Sequence, residues 1–156
     1  MLELRETRGA VVTCVADPAT VDAVVGASPA DALRVAPDEA LLIAEGDAAA
    51  LVAGVEASTD TDADALIVDT SDGWSIWTIA GDAAAAAFAR LSPLEPADGF
   101  AQGEVAHLPA KVVAAPSRIR LIVPAMWREA LRERILDDCA DLGIREAEPI
   151  SWSPAT

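Results

Sequence analysis

The sequence predicts an α+β fold in which helices pack on a mostly antiparallel sheet. Short runs rich in Val, Ile, Leu and Thr recur between turn residues, a pattern typical of strands. Several Ala-rich or periodic segments begin at a capping residue or a proline, and such segments favour helices. The 156 residues are 53% hydrophobic, which is ample material for one core. We therefore expect one α+β domain over residues 1–150, with its core in 32–143, and a C-terminal tail at 151–156.

The segment from Ala65 to Leu91 carries the most complete local pattern in the chain. It predicts a strand at 66–68, a turn at 70–73, a second strand at 74–80 and a helix at 83–90. The turn formers Thr-Ser-Asp-Gly indicate that the two strands form a hairpin. Both faces of the second strand carry apolar side chains, so we expect it to be covered on both sides or to contact a partner. Gly81 ends this strand, and Asp82 is expected to cap the helix.

The other elements are predicted from β-forming runs and helical periodicity. Strands are expected at 2–6, 10–15, 32–36, 40–45, 103–114, 117–123 and 144–147, and helices at 46–58 and 125–142. Residues 19–30 contain Gly and Pro, which leave their structure open. The first two strands are expected to form a hairpin, as are the next two around Pro37. The last helix is expected to pack on the sheet through an apolar stripe of Trp127, Leu131, Ile135, Cys139 and Leu142.

The charge of the chain argues against several classes of partner. The net charge is −15 with a pI near 4.2, and Lys111 is the only lysine. Nucleic acids and anionic membranes bind through clustered basic residues, so we expect neither as a partner. No apolar run approaches the roughly 18 residues of a membrane span, and the charged N-terminal residues do not resemble a signal peptide. We therefore expect a cytoplasmic protein.

The sequence contains no recognisable catalytic or metal-binding motif. The glycine-rich loops of nucleotide-binding proteins and the motifs of serine hydrolases and metalloproteases are all absent. Cys14 and Cys139 are expected to be buried and reduced, and with His107 they are too few for a structural zinc site. His107 is expected to be a structural residue on a strand. Asp69 and Asp72 have the spacing of an acid–base pair, but their turn context favours acceptors of backbone N–H groups. We therefore assign no catalytic residue.

Four segments in a fixed order carry a family resemblance. They are RVAPDEALLI, IVDTSDGWSIWTIAGDAAAAAFARLSPLEP, GFAQGEVAHLPAKVVA and RIRLIVPAMWREALRERIL. This order resembles the gamma subunit of heterotetrameric sarcosine oxidase, which is itself similar to the folate-binding domain of the aminomethyltransferases of glycine cleavage. The resemblance covers about Ala32 to Gly143. Its best markers are residues 37–39 and 69–74, Gly81, Phe100 and Gly103, which are scaffold residues more than site residues.

The resemblance implies a non-catalytic accessory subunit of a heteromeric flavoprotein oxidase. Such a complex acts on sarcosine or a related N-methyl amino acid in one-carbon metabolism. The resemblance further implies that flavin, NAD and tetrahydrofolate are held by larger partner subunits and none by this chain. No catalytic residue is carried over, and the chain alone is not expected to be an enzyme.

The alternative is a stand-alone folate- or pterin-binding module for one-carbon transfer. Such a site needs a carboxylate for the donor edge of the pterin, an aromatic wall and a cation for the glutamate tail. The residues available for these three roles are Asp69 or Asp72, Trp74 or Trp77, and Arg118 or Arg120. A third interpretation is a chain that merely scaffolds an unrelated complex.

Two features predict a contact with a partner. Trp74 and Trp77 lie three residues apart on one strand and must point to opposite faces, so one sheet with helices on one face cannot hide both. The last helix carries Arg128 and Arg132 in its first half and acids in its second, the reverse of what the helix dipole prefers. We therefore expect Trp74, Trp77, Arg128 and Arg132 to be interface candidates.

Overall fold

The computed structural model describes residues 1–27, 31–96 and 99–154, and the described residues form ten strands and four helices. The strands are β1 (Leu2–Arg8), β2 (Ala10–Val15), β3 (Asp31–Ala36), β4 (Glu39–Ala44), β5 (Leu66–Asp69), β6 (Trp74–Ala80), β7 (Gly99–Val105), β8 (Leu108–Ala115), β9 (Arg118–Pro124) and β10 (Ile144–Ser151). The helices are α1 (Pro18–Ala27), α2 (Ala48–Glu56), α3 (Ala84–Leu91) and α4 (Arg128–Asp138). The predicted α+β class, with mostly antiparallel strands and packed helices, is confirmed.

The chain divides into two compact units, each with its own sheet. Unit 1 contains Met1–Arg8 and Asp72–Ile150, and its sheet has the strand order β10-β1-β6-β9-β8-β7. Unit 2 contains Gly9–Ser71 and the residues from Ser151 on, and its sheet has the order β3-β4-β2-β5. The domain expected over residues 1–150 thus consists of two units.

Two predicted hairpins are wrong because their strands belong to different sheets. β1 pairs with β6, whereas β2 pairs with β4 and β5. β6 in turn pairs with β1 and β9, so it forms no hairpin with β5. Turn formers bend the chain equally well into a hairpin or into a second sheet, and pairing is decided by distant strands. The predicted β3–β4 hairpin is confirmed.

A tight turn also divides the strand predicted at residues 103–114. β7 and β8 pair as a hairpin, and its turn residues Ala106 and His107 have φ values of 51° and 65°. Such turns favour Gly, Asn or Asp, so this sequence carries no ordinary signal for the turn. His107 therefore lies in a turn and not on a strand, which corrects the prediction.

In unit 1, α3 and α4 pack on one face of the six-stranded sheet. Buried side chains from both layers form the core, including Leu4, Ile79, Phe88, Leu121, Leu131 and Ile135. The predicted cap at Asp82 is wrong, because α3 begins at Ala84 and no side chain caps it. Cys139 is buried in this core, and burial raises the pKa of its thiol. Its predicted role as a small buried hydrophobe is confirmed.

In unit 2, α1 and α2 pack on one face of the four-stranded sheet. Their core includes Cys14, Val21, Val24, Leu42 and Val55, so the prediction for Cys14 is also confirmed. α1 lies in the segment whose structure the sequence left open. The Asp17 carboxylate, directly before this helix, accepts hydrogen bonds from Thr20 N (2.8 Å) and Thr20 Oγ1 (3.0 Å).

The last described residues are not a frayed tail. β10 extends to Ser151, beyond the predicted end of this strand at residue 147. Trp152 is fully buried, and its Nε1 donates a hydrogen bond of 2.8 Å to Asp31 Oδ2 in unit 2. Burial of the indole therefore ties the end of the chain to unit 2.

No helix among the described residues is long and apolar enough to cross a membrane.

We expect Leu131→Ala to lower the free energy of unfolding by about 2 to 5 kcal/mol, because Leu131 is fully buried and its truncation leaves a cavity. Ile67, on the edge strand β5, is only half-buried. Ile67→Ala should therefore cost about 1 kcal/mol. Urea titrations followed by circular dichroism measure both values, and equal costs would contradict the assigned burial.

Gly81→Ala should strongly destabilise unit 1. Gly81 has φ of 132°, and a Cβ atom there would lie 2.0 Å from the carbonyl oxygen of Met1. Strain and clash together are expected to cost at least about 2 kcal/mol. The control is Gly73→Ala, because a Cβ atom added at Gly73 would have no neighbour within 4 Å and the φ of Gly73 is not positive. Comparable melting temperatures for the two variants would contradict this interpretation.

Candidate partner interface

Two large apolar side chains are exposed where β9 leads into α4. Pro124 ends β9 with φ of −53° and ψ of 137°, and the 3₁₀ turn Ala125–Trp127 follows. Met126 is 79% exposed and Trp127 is 38% exposed. Tryptophan and methionine are enriched where proteins contact each other. This pair, the Met126–Trp127 surface, is therefore the candidate functional site of unit 1.

The exposure of Trp127 corrects its predicted place on the buried stripe of the last helix. α4 begins at Arg128, the residue that follows Trp127. Leu131, Ile135 and Cys139 are buried as predicted. A 3₁₀ turn has about three residues per turn and an α-helix about 3.6, so Trp127 is out of phase with the stripe. The sequence does not identify Met126 as exposed, because it predicts one continuous helix over residues 125–142. The one available signal was Pro124, which precedes both residues.

Trp77 is buried, and its prediction as an interface residue is wrong. It is 2% exposed and lies in the core of unit 1. Its Nε1 donates a hydrogen bond of 3.2 Å to the carbonyl oxygen of Arg128. Trp77 therefore holds the first residue of α4 against the sheet. It positions the Met126–Trp127 surface and takes no part in it.

Trp74 remains an interface candidate. It is half-buried at the start of β6, and Lys111 Nζ lies 4.6 Å from the centroid of its ring, a cation–π geometry. Trp74 pairs in register with Pro124, the residue that precedes the 3₁₀ turn. Trp74 thus lies at the same end of the six-stranded sheet as the Met126–Trp127 surface.

The two predicted interface arginines already have partners within unit 1. Arg128 Nη2 lies 2.9 Å from Glu6 Oε2. Arg132 donates from Nε to Glu146 Oε1 at 2.8 Å and from Nη2 to Glu146 Oε2. These hydrogen bonds hold the pKa of Glu146 below its usual value and raise that of Arg132. Both ion pairs connect α4 to strands of the sheet. A partner protein that binds either arginine would therefore share its guanidinium group with Glu6 or Glu146.

The residues proposed for a folate site do not converge. Trp74 pairs with Pro124 and Arg118 pairs with Ala80, so the two candidates lie at opposite ends of β6 and β9. Six residues of strand separate them, which corresponds to about 20 Å. The other candidate cation, Arg120, is 1% exposed. Trp74 and the two arginines proposed for the glutamate tail therefore do not meet in one accessible pocket of unit 1.

The two candidate carboxylates are placed differently. Asp69 belongs to unit 2, and its Oδ1 accepts hydrogen bonds from the amide (3.0 Å) and hydroxyl (2.6 Å) of Ser71. The hydroxyl bond is the main reason that the pKa of Asp69 lies below its usual value. Asp72 belongs to unit 1 and is exposed in the 3₁₀ turn Ser71–Gly73. Asp69 is thus an acceptor in a turn, as its sequence context predicted.

The single histidine lies on the surface of unit 1. His107 Nδ1 is 3.2 Å from Glu104 Oε1, and both side chains are exposed. They share a shallow cleft of about 360 Å³ with Gln102 and Lys111. Within the described part of the chain, no group of three or more His, Cys, Asp or Glu side chains could hold a metal ion.

Comparison with known proteins defines the fold. No family model and no curated protein matches the chain by sequence. A chain of the heterotetrameric sarcosine oxidase from Corynebacterium sp. U-96 superposes with a TM-score of 0.77 and 19% identity, covering 94% of this chain and 87% of that one. The fold is that of a sarcosine oxidase chain.

This fold is shared more widely. Aminomethyltransferase T of the glycine cleavage system from Bartonella henselae matches with a TM-score of 0.71 and 16% identity over 94% of this chain. The match covers 47% of the transferase, so the chain spans about half the length of that enzyme. The aspartokinase alpha and beta subunits match at a TM-score of 0.52 and 10% identity, with 88% of this chain and 97% of that one covered. The fold implied by the sequence resemblance, that of sarcosine oxidase and aminomethyltransferases, is confirmed.

The Arg132–Glu146 pair predicts a pH dependence of stability. The folded state lowers the pKa of Glu146, so this stabilisation is present above the unfolded pKa, near 4.3, and is lost as pH falls through the folded value. Glu146→Gln should therefore destabilise at pH 7 and matter less in acid. Glu148→Gln on the same exposed strand is the control. Melting curves across pH test this, and a constant difference between wild type and Glu146→Gln would contradict it.

Proposed function

We propose that this chain is a non-catalytic accessory subunit of a heteromeric flavoprotein oxidase that acts on sarcosine or a related N-methyl amino acid. The support is a match over nearly the full length of both chains to a chain of heterotetrameric sarcosine oxidase. In this proposal flavin, NAD and tetrahydrofolate bind to the larger partner subunits. The chain contributes surface and stability to the complex.

The observation that carries a subunit role is the Met126–Trp127 surface. Burying an exposed tryptophan and methionine in a partner removes apolar area from water, at about 25 cal/mol per Å². Central aromatic residues of this kind dominate the binding energy of many interfaces. The surface therefore fits an apolar pocket on a larger subunit.

The attachment of α4 makes this surface suited to binding. Its first residue is held by the Trp77 indole through the main chain and by Glu6 through the side chain. A surface that is already held in place loses less conformational entropy on association. The folate-binding alternative has no comparable support, because its candidate tryptophan and accessible arginine lie at opposite ends of the sheet.

The test is purification of the tagged chain from its native cells. We expect a flavin-containing protein to co-purify and the preparation to oxidise sarcosine. Trp127→Ala and Met126→Ala should each weaken this association, with the tryptophan change costing about 2 kcal/mol or more. Met126 is 79% exposed, so Met126→Ala should change the melting temperature of the isolated chain little, whereas Trp127→Ala also removes the buried part of the indole and should lower it.

The matched control is Leu66→Ala. Leu66 is 57% exposed and belongs to unit 2, so its truncation removes exposed apolar area without changing the Met126–Trp127 surface. We expect it to leave co-purification unchanged. Absence of a flavoprotein would refute the proposed function, whereas equal losses for Leu66→Ala and Trp127→Ala would refute only the assigned surface.

A further inference from the structure

Unit 2 contains an apolar cleft between its two helices. The cleft has a volume of about 370 Å³. Its walls come from α1, α2 and the end of β4, and they include Val24, Ala27, Ala44, Ala50, Leu51 and Gly54. Most of these side chains are small, so the cleft has space that the residues described by the structure do not fill. A volume of this size accommodates a bulky apolar group.

The apolar surface extends beyond the cleft over the outside of α2. From Ala48 to Val55 this helix carries no charged or polar side chain, and Val55 is its only buried residue. Ala49 and Ala53 are exposed, although the solvent side of a helix ordinarily carries polar residues. A small molecule in the cleft would leave this outer surface in water. A protein segment would cover both, and small residues allow a second helix to approach closely.

Charge identifies the kind of segment. Glu45 and Asp47 border the cleft and are exposed. Within residues 9–71 the only basic side chain is Arg34, and it is paired with Asp22. A second copy of this chain that docked through the same face would bring like charges together. A segment that carries Lys or Arg would instead be attracted to it.

We propose that the α1–α2 cleft binds a helical segment of a different protein. A bulky apolar side chain of this segment inserts between the helices, and a Lys or Arg beside it faces Glu45 and Asp47. The cleft consists of residues of unit 2 and shares no residue with the Met126–Trp127 surface of unit 1. It stands whether or not the chain belongs to an oxidase.

Two glycines provide a matched test of this proposal. Gly54 on α2 lines the cleft, whereas Gly26 on α1 does not. A Cβ atom added at either glycine would lie in open space, and neither has a positive φ. Leucine at either position should therefore preserve or improve helix stability. Only Gly54→Leu fills the cleft, and equal melting temperatures of the two variants would show that any loss of binding is not a loss of folding.

The probe is a fluorescent synthetic helix with leucines on one face and lysines elsewhere, and its counterpart replaces every lysine with glutamate. Fluorescence anisotropy should show saturable binding of the lysine peptide to the full chain and none of the glutamate peptide. Gly54→Leu should weaken binding about tenfold or more, and Glu45→Gln should weaken it less. Gly26→Leu should have no effect, and added salt should weaken binding.

Other results would overturn the proposal. It fails if the lysine peptide does not bind, if both peptides bind alike, or if Gly54→Leu and Gly26→Leu behave alike. Complete displacement of the peptide by hexylamine would assign the cleft to small amines instead. A dimer in sedimentation velocity that Gly54→Leu dissociates would assign it to a second copy of the chain.

Discussion

The structure of unit 1 depends on the pairing of β6 with two distant strands. β6 lies inside the six-stranded sheet, with β1 on one side and β9 on the other. The β1 pairing binds the first eight residues to a unit that otherwise begins at Asp72. The pairing of β6 with β9 places Pro124, the last residue of β9, opposite Trp74 at the start of β6. The following 3₁₀ turn and α4 therefore begin at that end of the sheet. The exposed surface at that turn is thus a consequence of strand register.

The tryptophans of this chain divide between structural and exposed roles. Trp77 and Trp152 are buried, and each satisfies its indole N–H with a specific acceptor, Arg128 O and Asp31 Oδ2. A buried indole without an acceptor would lose the hydrogen bond that water provides. Trp127 keeps part of its ring in solvent. The three-dimensional structure shows which of these indoles is buried and which is exposed.

Turns, helix caps and helix ends that depend on a few neighbouring residues could be predicted from the sequence. The β3–β4 hairpin followed from its turn residues, Asp47 caps α2, and Gly143 ends the last helical segment with φ of 72°. Sheet membership was not readable, because the strands that pair with β1 and β2 lie tens of residues away in the sequence. The turn at His107 lacked the residues that such turns favour. The Met126–Trp127 surface could not be predicted either, because the exposure of Trp127 depends on the short 3₁₀ turn that precedes α4.

The uneven distribution of basic residues has a kinetic consequence. A body such as unit 2, whose residues 9–71 contain a single basic side chain, surrounds itself with a negative potential that reaches about 8 Å into physiological saline. Basic partners are drawn toward such a potential before any contact forms, which raises their association rate. Acidic neighbours in the crowded cell are repelled over the same distance. Partner choice at unit 2 therefore begins during diffusion, with the cleft deciding only how long the encounter lasts.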